Sequence, residues 1–83
     1  MILFKNLFNF LEVDAKKLKL LREEKVVSQR ELARLAGITH TTYWNLEHGY
    51  REARPKTIRK VAEALGIEPN GLTKRRENDG EET

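Results

Sequence analysis

"SQRELARLAGITHTTYWNLEHG", residues 28–49, carries two helix signatures with too little chain between them for a long loop. Ser28 followed three residues later by Glu31 is a capping box, which satisfies backbone N–H groups that the start of a helix leaves unpaired. Leu32, Ala33 and Ala36 then fall on one inward face. Gly37 supplies the left-handed residue that stops this helix, and Thr39 caps the next one, which runs to about His48 before Gly49 stops it in the same way. About three residues remain for the turn. Helices joined so tightly cannot lie antiparallel; they cross steeply, as in a helix-turn-helix unit.

The second helix has an unusual surface. At about 100° per residue, Tyr43 and Leu46 point together into the core, Thr41, Asn45 and His48 point away, and His40 and Trp44 lie on the flank. A face that is merely solvated more often uses Glu and Lys, which also favour helix formation. Asn can bond two atoms of an adenine edge, Thr offers a hydroxyl and a methyl to thymine, and His can donate to guanine or phosphate. The outer face therefore suits a DNA groove better than bulk water.

Working outward, Leu3, Phe4, Leu7, Phe8 and Leu11 recur at helical spacing opposite Lys5, Asn6, Asn9 and Glu12, predicting a short amphipathic helix in an N-terminal extension, 1–13. Asp14 is the N-cap of "AKKLKLLREEK", with Leu18 and Leu21 inward and Leu20 left outside. After the basic loop "YREARPKT", Pro55 opens a helix that buries Ile58, Val61, Ala62 and Leu65 and ends at Gly66. Ile67 plugs the core, and Glu68 and Pro69 begin a last short helix anchored by Leu72. Beyond Lys74 nothing remains to bury, so 75–83 is expected to be a disordered acidic tail. With no alternating strand pattern, the expected architecture is all-α: a compact five-helix domain over 14–74 plus the N-terminal helix.

At 83 residues the chain has room for one small domain. It has no cysteine, which excludes disulfides, thiolate metal sites and thiol nucleophiles. His40 and His48 are eight apart, unlike the i, i+4 pair of a helical zinc site, so neither a metal nor a cofactor is expected. The first 76 residues hold all sixteen basic side chains against nine acidic ones, a balance that favours a polyanionic partner. The apolar start is interrupted by Lys5, Asn6 and Asn9 and lacks a cleavage site, so it is neither a signal peptide nor a membrane span; a soluble cytoplasmic chain is expected.

The runs "LR" at 21–22, "SQ" at 28–29, "LA" at 32–33, "AGI" at 36–38, "LEHG" at 46–49 and "KVAEALGI" at 60–67 together resemble the phage-repressor and Cro-type, or XRE-like, helix-turn-helix family, over residues 15–73. The resemblance implies a compact repressor-like domain. By it, Gln29 corresponds to a glutamine that bonds a phosphate and braces the recognition helix. Thr39, His40, Thr41, Trp44 and Asn45 match positions that reach base edges or phosphates. Arg22 and Glu47 match a structural ion pair, and Arg51, Arg54 and Lys56 match a segment that clamps the DNA backbone.

The sequence departs from the family at three places. Val26 stands where a left-handed glycine is common, so a β-branched residue is strained there. Trp44 is larger than usual; it either contacts sugars and methyl groups of DNA or packs beside the N-terminal helix. That helix lies outside the family core. It either covers Leu20, pairs with a second copy across a dimer axis, or is an extension with no role.

The function these features imply is a sequence-specific double-stranded DNA-binding transcriptional regulator, with a homodimer as one arrangement. A second reading, from another class, is a protein-interaction module such as an antitoxin bound to a toxin. An enzyme is not expected, since no nucleophile stands with a base and no glycine loop would cradle a phosphate.

Overall fold

The computed structural model describes residues 11–49 and 53–74. Its first helix, α1 (Ala15–Lys25), is capped by the Asp14 carboxylate, which accepts from the Lys17 N–H at 3.2 Å. It ends at Val26, in the left-handed region with φ 60° and ψ 48°. In α2 (Gln29–Ala36), the Ser28 hydroxyl accepts from the Glu31 N–H at 3.0 Å, while the Glu31 carboxylate is held by Arg34. Gly37, with φ 76°, turns the chain toward α3 (His40–Glu47) within three residues. No side chain caps α4 (Pro55–Leu65), but Pro55 sits at its first turn, where a missing N–H costs nothing.

Four α-helices stand where five were expected among the described residues. The fifth segment, Pro69–Leu72, is a 3-10 turn: four residues including Pro69 and Gly71 are too few to sustain an i to i+4 ladder. It still performs the anchoring expected of it, since Leu72 is buried.

Leu18, Leu32, Tyr43, Ile58, Val61 and Leu72 are the largest fully buried side chains, one or more from every element, so all five elements close over one core. α2 packs against both α3 and α4, and α1 packs against α3. The chain before α1 is drawn into this body by backbone pairing. Leu11 exchanges two hydrogen bonds with Ala53, at 2.7 and 2.8 Å, and Val13 bridges Thr73. Leu11 therefore belongs to an extended segment, not to the end of a helix, because Ala53 satisfies both its N–H and its C=O. The rest of the expected N-terminal helix, residues 1–10, lies outside the described residues, as does the acidic tail. Leu20 is exposed on α1. No helix among the described residues is long and apolar enough to cross a membrane.

Candidate nucleic-acid interface

The position of α3 is set by a cluster of four polar side chains beneath it. Arg22 of α1 donates from Nε to Glu47 Oε2 at 2.5 Å and from Nη2 to Glu47 Oε1 at 3.3 Å, a forked pairing that fixes orientation as well as distance. Its Nη1 reaches the Val27 carbonyl at 2.9 Å, tying the same guanidinium to the loop between α1 and α2. Gln29, the first residue of α2, donates to Glu47 Oε1 at 2.8 Å, and Tyr43 donates to Glu47 Oε2 at 2.5 Å. One carboxylate thus joins α1, α2 and α3. The Glu47 side chain is 2% exposed and that of Arg22 12%, so the pair is held almost out of water.

Such burial by itself raises the Glu47 pKa, but the hydrogen bonds from Arg22, Tyr43 and Gln29, with the charge of Arg22, more than offset it and leave the carboxyl below its usual value. The Arg22 pKa is raised, chiefly by its hydrogen bond to Glu47. Burial, then the bond to Glu47, drives the Tyr43 phenol well above its usual value. The carboxylate, the guanidinium and the neutral phenol are therefore mutually stabilising.

With Tyr43 and Leu46 buried, the opposite side of α3 faces outward. Thr41 and His48 are exposed, and Trp44, Asn45 and His40 are half-buried. The Thr39 hydroxyl accepts from the Thr42 N–H at 3.1 Å and donates to the Thr42 hydroxyl at 2.8 Å, so its polar atom is occupied in capping α3. Trp44 and His48 stack one turn apart, with ring centroids 3.6 Å apart and planes inclined by 20°. Arg54 and Lys56 are exposed at the start of α4; Arg51 lies outside the described residues. Among the described residues no three His, Asp or Glu side chains gather as metal ligands.

Sequence reasoning placed Tyr43 in the core but missed its hydroxyl, although a buried tyrosine usually needs a partner and Glu47 stands four residues on. It also missed Thr42 and the Val27 carbonyl. A backbone acceptor has no signature in sequence.

Residues 18–72 match the helix-turn-helix model HTH_3. The chain belongs to this family. It is 36% identical over 63 residues to the HTH-type transcriptional repressor RghR of Bacillus subtilis (strain 168), a match that covers 75% of this chain and 47% of RghR. The chain thus spans about half the length of that curated relative. Among solved structures, this helix-turn-helix chain is similar to the restriction-modification controller protein C.AhdI from Aeromonas hydrophila, with TM-score 0.67 and 38% identity over 70% of this chain and 84% of that one. It is also similar to the hypothetical transcription factor NHTF from Neisseria, with TM-score 0.68 and 29% identity over 83% of this chain and 79% of that one.

Proposed function

We propose that this helix-turn-helix protein is a sequence-specific double-stranded DNA-binding transcriptional regulator that lays the outer face of α3 in the major groove. The observation that carries this reading is the division of α3 into two faces. Glu47 and Tyr43 are committed inward to a three-helix anchor, while Thr41 and Asn45 lie on the opposite side and Trp44 on the flank. Similarity to a transcriptional repressor and to a restriction-modification controller supports it.

In this reading Thr41 and Asn45 reach deepest, because they oppose Tyr43 and Leu46 on the helix. Asn45 bonds an adenine edge, and Thr39, His40 and Trp44 contribute contacts at the start and side of α3. Gln29, whose amide is already fixed on Glu47, presents the start of α2 to a phosphate, and Arg51, Arg54 and Lys56 clamp the backbone. An eight-residue helix is about 12 Å long and spans only a few base pairs, so two copies on a two-fold site supply the remaining specificity.

A binding selection on random duplexes tests this. The expected result is one enriched sequence with two-fold symmetry. Retained affinity with no enriched sequence would contradict base reading, and enrichment of a single unrepeated half-site would contradict the dimer.

A further inference from the structure

Leu11, Ala53, Val13 and Thr73 bring three extended pieces of chain side by side at one end of the helical body. Leu11 donates its N–H to the Ala53 carbonyl at 2.7 Å and accepts from the Ala53 N–H at 2.8 Å. The other edge of the same segment is held as well: the Lys74 N–H donates to the Glu12 carbonyl at 2.9 Å, and the Asp14 N–H donates to the Leu72 carbonyl at 2.8 Å. Val13 is buried in the core and Asp14 caps α1, so residues 11–14 form a strap anchored along its whole length.

What the strap holds is the approach to α4. Ala53 is buried and immediately precedes Arg54, the N-cap residue of that helix. The Ala53 carbonyl and the Arg54 N–H belong to one planar peptide unit, so the bond from Leu11 orients the plane that carries the Arg54 Cα. On its other side the Arg54 carbonyl accepts from the Ile58 N–H at 3.1 Å, in the first turn of α4. The direction in which the Arg54 side chain leaves the backbone is therefore set from both sides. Lys56, two residues on and exposed, rides on the same turn. Burial of α4 does not depend on this bridge, since Ile58, Val61 and Ala62 fix the helix to the core and the Leu11 residue is itself 38% exposed. The bridge acts on the orientation of the helix head.

Building on the reading of Arg54 and Lys56 as phosphate contacts, we propose that Leu11 is a positioning residue for DNA binding, whose two main-chain bonds to Ala53 hold the head of α4 so that these cations meet the DNA backbone. Cations placed before DNA arrives lose less freedom on binding than cations on a loosened segment. The gain is the same for every sequence, because phosphate contacts carry no base information.

The test uses the full chain, on the duplex enriched by random selection and on unrelated duplexes, at three salt concentrations. Leu11→Pro removes the N–H that bonds Ala53, whereas the conservative Leu11→Ala keeps both main-chain bonds and should retain the parent's affinity. Leu11→Pro should weaken binding to every duplex by roughly 2- to 10-fold, the span of a single hydrogen bond, and flatten the fall of log affinity with log salt. Added to Arg54→Ala/Lys56→Ala it should have little further effect, which a general weakening of the fold would not produce. Coupling is reciprocal, so DNA should in turn hold the bridge closed: in the parent, the Leu11 and Ala53 amides should exchange hydrogen several-fold more slowly with DNA bound, and this slowing should be lost in Arg54→Ala/Lys56→Ala. That measurement decides the matter even if Leu11→Pro fails to fold. An equal loss with and without the two cations, a loss as large in Leu11→Ala, or amide exchange unchanged by DNA would overturn the proposal while the DNA-binding reading stands. If the parent binds no duplex, that reading fails and the role of Leu11 falls with it.

Discussion

The Tyr43 hydroxyl lies 2.5 Å from Glu47 Oε2, one turn further along the same helix, so the helix carrying the outward face is clamped from within by its own last residue. Tyr43→Phe keeps the ring and deletes one of the donors that hold the carboxylate. The expected loss is about 1–3 kcal/mol, the cost of leaving a buried polar partner short of a bond. Glu47→Ala should cost more, about 3–5 kcal/mol, because it strands the Arg22 charge as well as Tyr43 and Gln29. Urea unfolding measures both. A Glu47→Ala variant as stable as the parent would show that the cluster does not anchor α3.

The same cluster predicts stability falling at both ends of the pH scale. The Glu47 pKa is lower in the fold than the ordinary value of about 4.3, so the unfolded chain takes up its proton first as pH falls. The contribution of Glu47 is complete above that value and is lost as pH drops through the folded one. The Tyr43 phenol is shifted the other way: the unfolded chain releases its proton near pH 10 while the fold retains it, so stability declines above about pH 10. Melting curves for the parent and Glu47→Gln from pH 3 to 6 isolate the acid limb, which should be shallower in the variant.

Val26 is 85% exposed, with φ 60° and ψ 48°, a left-handed conformation unfavourable for a β-branched side chain. Val26→Gly removes a strain of about 1–2 kcal/mol and adds about 0.5–1 kcal/mol of unfolded-chain entropy, for a net gain of up to about 1.5 kcal/mol. For a domain of this size each kcal/mol raises the Tm by about 4–8 °C. Calorimetry checks it, and a lower Tm would show that the valine has a contact worth more than its strain.

If Arg54 and Lys56 clamp phosphates, log affinity should fall linearly with log salt, by about 0.9 for each phosphate neutralised. Arg54→Ala and Lys56→Ala should each reduce that slope and weaken binding to every duplex alike. Titrations at three salt concentrations give the slopes. Loss confined to one sequence would move either residue from the backbone to a base.

Local signals were the legible part of the fold. Asp14, Ser28 and Thr39 accept from N–H groups three residues on, and Gly37 and Gly66 take the left-handed turns, because each depends only on its immediate neighbours. The extended pairing of Leu11 with Ala53 was not legible: it joins residues far apart in the chain, and it overrides an apolar spacing that reads as helix. For the site, residue spacing gave the inward and outward faces of α3. Arg22 and Glu47 are 25 residues apart and came from family resemblance alone, and the Gln29 and Tyr43 bonds to the same carboxylate needed three-dimensional placement. The Trp44–His48 stack sits at i, i+4 and was within reach of spacing, but two aromatic rings at that distance carry no geometry until a backbone fixes them.

Asn45 tests the central claim most directly, because it stands on the outward side of α3, opposite Tyr43 and Leu46 and away from the buried anchor at Glu47. Affinities of the parent and Asn45→Ala, measured at fixed salt on the selected duplex and each of its single-base variants, should show loss of about 1–3 kcal/mol of discrimination at one adenine-bearing base pair per half-site. Melting temperature and affinity for unrelated duplexes should remain those of the parent. An unchanged preference at every base pair would contradict the assignment of this face of α3 to sequence reading.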